Sequence, residues 1–283
     1  MIKILVDSAS DICVNEAKEL GVNLISMLVT FGDEEYIDGV NLDSKLFFEK
    51  LIESDTLPKT SQINETAFKE KFEELTSDGS ELLVITLSSR LSGTYNNARK
   101  ASEDFNKKVS VIDSLQACVG ERILLNYAIS LIKQNMSLQD ITKELNYKKS
   151  KIKLLAVLDT LKYLRKGGRI SSLVAFTGEL LSIKPVISIT NGEVKLIGKA
   201  MGSKKGNNLL NQLIANCGGI DFSMPYALGY SGLSDDFLQK YIEDSKSIWE
   251  NNVKKEDIPC FRIGSTIGTH IGTGAIGVAF FAK

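Results

Sequence analysis

The sequence predicts an α/β protein of two domains, the first a mostly parallel sheet flanked by helices, the second a mixed sheet with helices. Three observations predict it. Short apolar runs alternate with longer stretches of helical spacing through the first half. In the second half Asn191-Gly192 stands between two β-rich runs, the pattern of an antiparallel hairpin. The length, 283 residues, fits two domains of roughly 150.

The elements follow in order. Residues 2–6 read as a strand closed by the turn chemistry of Asp7-Ser8-Ala9-Ser10-Asp11, and residues 24–31 as a second strand. Leu46, Phe47, Leu51 and Ile52 fall at helical spacing, as do Phe68, Phe72 and Leu75. Strands over 82–87 and 109–112 each lead into a helix, over 95–105 and 123–132. That alternation argues for a parallel sheet covered on both faces. A second unit begins near residue 150, giving domains of 1–150 and 151–283. It opens with an apolar run over 152–158, followed by Leu161, Leu164 and a Gly167-Gly168 stop. The hairpin strands 183–189 and 194–197 come next, then a helix over 209–214. A strand over 226–230, a helix over 237–249 and strands over 258–263 and 275–281 complete it.

Composition excludes several chemistries. Lys and Arg total 34 against 35 acidic residues, a net charge of −1, which does not suit a dedicated nucleic-acid binder. The four cysteines lie far apart and there is one histidine, so neither a disulfide framework nor a zinc site is expected. The 43% apolar content is ordinary for a globular chain. No apolar run approaches the ~20 residues of a spanning helix, and the amino-terminal run is too brief for a signal-peptide core. A cytoplasmic protein with reduced thiols is the expectation.

Gly272-Thr273-Gly274-Ala275-Ile276-Gly277 spells GxGxxG, but it stands six residues from the end and leads into a strand. A dinucleotide fingerprint opens a helix and needs an acidic residue about 20 positions on. Ser88-Ser89-Arg90-Leu91-Ser92-Gly93-Thr94-Tyr95 joins a strand to a helix, at the sheet edge where α/β ligands gather. Ser92 and Thr94 suit a helix cap, and Gly93 equally lets amides face an anion. Pro58-Lys59-Thr60-Ser61-Gln62 is a second hydroxyl-rich loop, with capping the equal alternative. The lone His270 follows Thr269 beside a glycine-rich stretch, where a structural role competes with an accessible imidazole. Paired with Ser92 or Ser88 it would form a hydrolase nucleophile, although no GxSxG elbow exists. The basic segments Lys148, Lys149, Lys151, Lys153 and Arg165-Lys166-Gly167-Gly168-Arg169 read as a solvated face and a helix end, or as sites for a phosphate or partner.

Taken together, these strings resemble the DegV family of bacterial fatty-acid-binding proteins, which includes the FakB subunits of fatty-acid kinase. The matching pieces are Val6-Asp7-Ser8, Lys59-Thr60-Ser61-Gln62, Leu87-Ser88-Ser89, Leu91-Ser92-Gly93-Thr94-Tyr95, Val111-Ile112-Asp113-Ser114, Lys166-Gly167-Gly168-Arg169-Ile170-Ser171, Ile183-Lys184-Pro185, and Thr269-His270 leading to Gly274-Ala275-Ile276-Gly277. They run in order over essentially the whole chain. The resemblance implies a long-chain fatty acid buried between two domains as the only ligand, with no cofactor or metal. It implies hydroxyls of Thr60 and Ser92 on the carboxylate, backbone around Ser61 and Gly93 nearby, and His270 beside the same head group. The chain would then be a carrier rather than a complete enzyme, presenting the acid to an ATP-binding kinase subunit that forms an acyl phosphate. Transient contact with a membrane is compatible with such a ligand. Met201 stands where FakB proteins carry an arginine, so Lys199 and Lys204 become candidate charge partners. A lipid-responsive regulatory binder without a kinase is the alternative, with the Ser/His hydrolase behind it.

Overall fold

A computed structural model describes residues 1–170 and 183–283. Ser171, the last residue of one motif above, lies outside the described residues. Four parallel strands form the first sheet in the order β2 (Asn23–Ile25), β1 (Ile2–Asp7), β6 (Glu81–Thr86), β7 (Val109–Asp113). β1 and β6 are nearly continuous apolar runs, as strands covered on both faces must be. The covering helices are α1 (Val14–Leu20), α3 (Glu65–Thr76), α4 (Thr94–Ser102), α5 (Val119–Lys133) and α6 (Leu138–Lys148).

The run over 24–31 is not one strand. It breaks at Met27, whose amide donates to Ser8 Oγ at 3.0 Å, and its two halves join different sheets. The first half is β2. The second, β3 (Leu28–Phe31), lies between β4 (Glu34–Ile37) and β5 (Lys59–Ser61) in a small antiparallel sheet. α2 (Ser44–Glu53) packs Phe47 and Phe48 beneath it, in a core shared with Val29 and Phe31.

The second large sheet has six strands, ordered β10 (Glu193–Met201), β9 (Ile183–Thr190), β8 (Ile152–Val157), β13 (Ile276–Phe281), β11 (Tyr226–Tyr230), β12 (Cys260–Arg262). It is antiparallel except for the β11–β12 pair. The β9–β10 hairpin turns on Asn191 and Gly192, with φ of 52° and 82°, the left-handed pair that makes Asn-Gly a hairpin signal. Its outer face packs on α8 (Ser203–Asn216), α9 (Asp236–Asp244) and α10 (Lys246–Trp249) through Leu155, Val157, Leu228, Ile276, Val278 and Phe280. The helix expected over 237–249 is interrupted at Ser245, whose hydroxyl bonds Tyr241 O at 2.6 Å and accepts Trp249 Nε1 at 2.8 Å.

The inner face looks toward the first sheet, with α5 wedged between the two large sheets and touching both. Its Ile123, Leu124 and Leu125 join one core with Leu83, Ile85, Leu154 and Ala279. α7 (Lys162–Lys166) and α11 (Ser265–Ile271) lie beside each other at the same seam. α11 covers a stretch that the glycines left without a predicted helix. The GxGxxG string begins at its end: Gly272 and Gly274 take φ of 70° and 75° and the chain passes into β13, with no helix for a pyrophosphate.

Candidate functional site

The seam encloses a cavity of about 310 Å³, walled by the inner face of the second sheet, α11 and the loops after β6 and β7. The walls are apolar, with Leu87, Leu91, Leu154, Leu158, Ile187 and Ile189 among them. Polar side chains gather at one end.

Thr60 reaches that end from β5. Its register with Val29 on β3 turns it inward while Lys59 and Ser61 stay exposed. Its Oγ1 lies 2.9 Å from Nε2 of His270, which the last turn of α11 supplies. The imidazole is largely buried and its Nδ1 has no hydrogen-bond partner. Gly167, at the end of α7, makes room for the ring: a Cβ there would lie 2.4 Å from Nδ1. Burial first, and the charge of Arg169 second, push the His270 pKa down from 6.5 to about 4, so the ring is neutral at pH 7.

Ser92 comes from the loop after β6. That loop is pinned by Ser88 N donating to Gln116 O at 2.7 Å, and by the Leu91 and Ser92 amides, both donating to Ser88 O. Ser92 Oγ lies 3.0 Å from Thr94 Oγ1 and accepts from Thr94 N at 3.3 Å, so the capping role and a place on the cavity wall coexist. Gly93 lets Gln62 cross its backbone; a Cβ would fall 1.9 Å from Gln62 Oε1.

Thr60, Ser61, Ser92, Gly93 and His270 therefore line a single cavity, although 210 residues separate Thr60 from His270. Lys199 and Lys204 do not. Both are exposed and neither lines the cavity, because Lys199 lies on the outermost strand beyond a bulge between Leu196 and Gly198 and Lys204 begins α8 on the far face. Met201, 63% exposed at the end of that strand, lies outside it too. The cation on the cavity wall is Arg169, half-buried, with Nε donating to Leu91 O at 3.2 Å and the guanidinium also bonding Gly167 O. The sequence marked its segment as a helix end or a phosphate or partner site. Nothing local could tie Arg169 to His270, which lies a hundred residues on and meets it only through α7 and α11.

Among the described residues no serine–histidine pair forms. Ser88 is fully buried and donates to Gly192 O at 2.8 Å, Ser92 is engaged with Thr94, and no described acid orients His270 Nδ1. A hydrolytic relay needs all three.

Buried carboxylates near the amino terminus hold the start of α11 in place. Asp38 accepts from Ser265 N at 3.2 Å, Thr266 N at 3.3 Å and the Ser265 hydroxyl, and Asp11 Oδ1 accepts from Gly264 N at 2.8 Å. Asp7 ties the ends of β1 and β6 by accepting from Ala9 N and Leu87 N. Burial pushes the Asp7 and Asp11 carboxyls up to about 7 and raises Asp38. The sequence placed Asp7 and Asp11 in a turn; the reach of Asp7 to Leu87 and of Asp11 to Gly264, just ahead of α11, is tertiary. Among the described residues no group of His, Cys, Asp and Glu is arranged to hold a metal, and no helix is long and apolar enough to cross a membrane.

The arrangement suits an anionic head on an apolar tail. Two hydroxyls, a neutral imidazole and a guanidinium gather at one end, and the rest of the described wall is mostly hydrocarbon, with the Thr266 hydroxyl and the Cys118 thiol as buried polar exceptions. Access differs along the wall. Thr60, Ser92, Arg169 and His270 are partly exposed, whereas Met27, Ala117, Cys118 and Ile263 are buried.

Known proteins share this sequence and fold. The DegV family model matches residues 1–283. A DegV domain-containing protein of Clostridium perfringens is 33% identical, the alignment covering 98% of this chain and 96% of that protein. Among solved structures, one described as fatty acid binding of a DegV family protein from Thermus thermophilus superposes with a TM-score of 0.87 at 26% identity, covering 100% of this chain and 99% of that one. DegV from Bacillus subtilis, described as a fatty acid binding protein, gives 0.83 at 28% identity, covering 100% and 99%.

Proposed function

The chain belongs to the DegV family, and from that premise we propose that it carries one long-chain fatty acid between its two domains, the carboxylate at Thr60, Ser92, His270 and Arg169. The observation that carries this reading is the meeting of Thr60 and His270 at the polar end of a mostly apolar cavity. The fatty acid binding described for the Thermus thermophilus and Bacillus subtilis proteins supports it.

Affinity comes from the tail. Each buried methylene contributes about 0.8 kcal/mol, so about a dozen give on the order of 10 kcal/mol before the costs of association. The head-group residues prevent loss more than they add: a buried carboxylate without partners costs several kcal/mol, and charge-assisted bonds offset that. With Nε2–H donating to Thr60 Oγ1, the Thr60 hydroxyl proton is free for the carboxylate. Lipid extraction and native mass spectrometry of purified protein should show one bound fatty acid. Protein that is empty and also rejects added palmitate and oleate would refute the reading.

The finer part of the proposal is that the acid is presented to an ATP-binding kinase subunit. The partly exposed polar end leaves the carboxylate where a partner can reach it. Incubation of loaded protein with the kinase subunit of a DegV-type system and ATP should give an acyl phosphate, trapped by hydroxylamine as a hydroxamate. Lipid binding without hydroxamate would favour a regulatory binder.

A further inference from the structure

The inner face of the second sheet carries a cross-strand row whose side chains shrink toward its middle. Ile187 on β9 pairs with Ala156 on β8, Ala156 with Gly277 on β13, and Gly277 with Gly229 on β11. All four line the cavity. The same strands carry Leu155, Ile276, Val278 and Leu228 on the outer face, so small residues are not a property of the strands themselves.

Glycine inside a strand weakens it by roughly 0.5–1 kcal/mol against alanine and usually marks a close approach. The two glycines differ in what approaches them. At Gly229 the protein does: a Cβ would fall 2.8 Å from Ile263 Cδ1 and 3.2 Å from Val119. At Gly277 it does not. A Cβ there meets Ala156 Cβ at 3.7 Å and Leu155 O at 3.9 Å, ordinary contact, and the backbone is not in the left-handed region. Among the described residues neither packing nor backbone geometry calls for glycine at 277, and the space it leaves open belongs to the cavity.

Gly277 also stands part-way along that cavity. Ala275, two residues earlier on the same face, packs with Leu158 and Leu164, while neighbouring Gly229 abuts Ile263 at the buried end. We infer that Gly277 is a specificity-determining residue whose missing side chain lets a long acyl tail pass to the buried end. This rests on the carrier reading above.

The test compares palmitate with decanoate on wild type, Gly277→Ala and Gly277→Val, by displacement of a fluorescent fatty acid and by thermal shift. Gly277→Val should weaken palmitate by at least ~10-fold while decanoate changes by less than ~3-fold, with Gly277→Ala between. Gly277→Ala fits the available space, so it keeps the test open if the valine variant does not fold. An unchanged palmitate-to-decanoate ratio in a folded variant would overturn the assignment, as would equal loss of both acids. Wild-type protein that bound neither acid would instead remove the carrier reading, and the assignment with it.

Discussion

Thr60 Oγ1 and His270 Nε2 lie 2.9 Å apart, one on an edge strand of the small sheet and the other on the last turn of α11. The bond joins the small antiparallel sheet to α11 where the cavity turns polar. Among the described residues it also leaves His270 Nδ1 buried without a partner, with Arg169 close enough to lower its pKa. On the carrier reading, a carboxylate would complete that site.

Removing both hydroxyls should uncouple the head group from the tail. Thr60→Ala with Ser92→Ala is expected to weaken palmitate by at least ~100-fold, since hydrogen bonds to a charged group contribute about 1.5–3 kcal/mol each. The far-ultraviolet circular dichroism should not change. Unaltered palmitate affinity in isothermal titration would show that neither hydroxyl holds the carboxylate.

Protonation of His270 should be linked to ligand. Its pKa in the folded protein, about 4, lies below 6.5, so folding favours the neutral ring: this contribution is complete above pH 6.5 and is lost as pH falls toward 4. A carboxylate beside the ring raises that pKa. The thermal shift produced by palmitate should therefore grow as pH falls from 7 to 6. Being the only histidine, His270 gives one set of imidazole resonances, and NMR titration of free and loaded protein reads it directly. A pKa that falls on loading would contradict the arrangement.

The carboxyl at Asp11 predicts the opposite slope. Burial pushes its pKa up to about 7 from 3.8, so folding favours the protonated form and this group lowers stability as pH rises through that interval. Asparagine keeps the acceptor for Gly264 N and removes the charge from a buried carboxyl beside the Cys118 thiol. Asp11→Asn should melt above wild type at pH 8, with the gap closing near pH 4. A wild type more stable than the variant at pH 8 would show that the charge itself is needed, through Arg122.

Much of the site was readable because its chemistry is local. Asn191-Gly192 announced a hairpin through backbone conformation alone, and Thr60, Ser92 and His270 were marked by the strings around them. What was hidden depends on packing. β4 and β5 are too short for a periodic signal, although β5 carries Thr60. Lys199 and Lys204 were sought because they are near Met201 in sequence, but a bulge and a helix start carry them away from the cavity, and Arg169 arrives from another segment. The cavity itself left no mark, since Ala156 and Gly277 read as ordinary strand residues until their neighbours are known.

On the carrier reading, the unequal exposure of the cavity wall has a kinetic consequence. With Ala117, Cys118 and Ile263 buried and Thr60 and His270 partly exposed, an acid would enter tail first and leave head first. Departure would then require withdrawing the whole tail past the polar rim, so residence time would lengthen with every methylene while the arrival rate barely changes. Such a protein would act as a timer as well as a container: the longer the chain it takes, the longer the acid group is held at the rim.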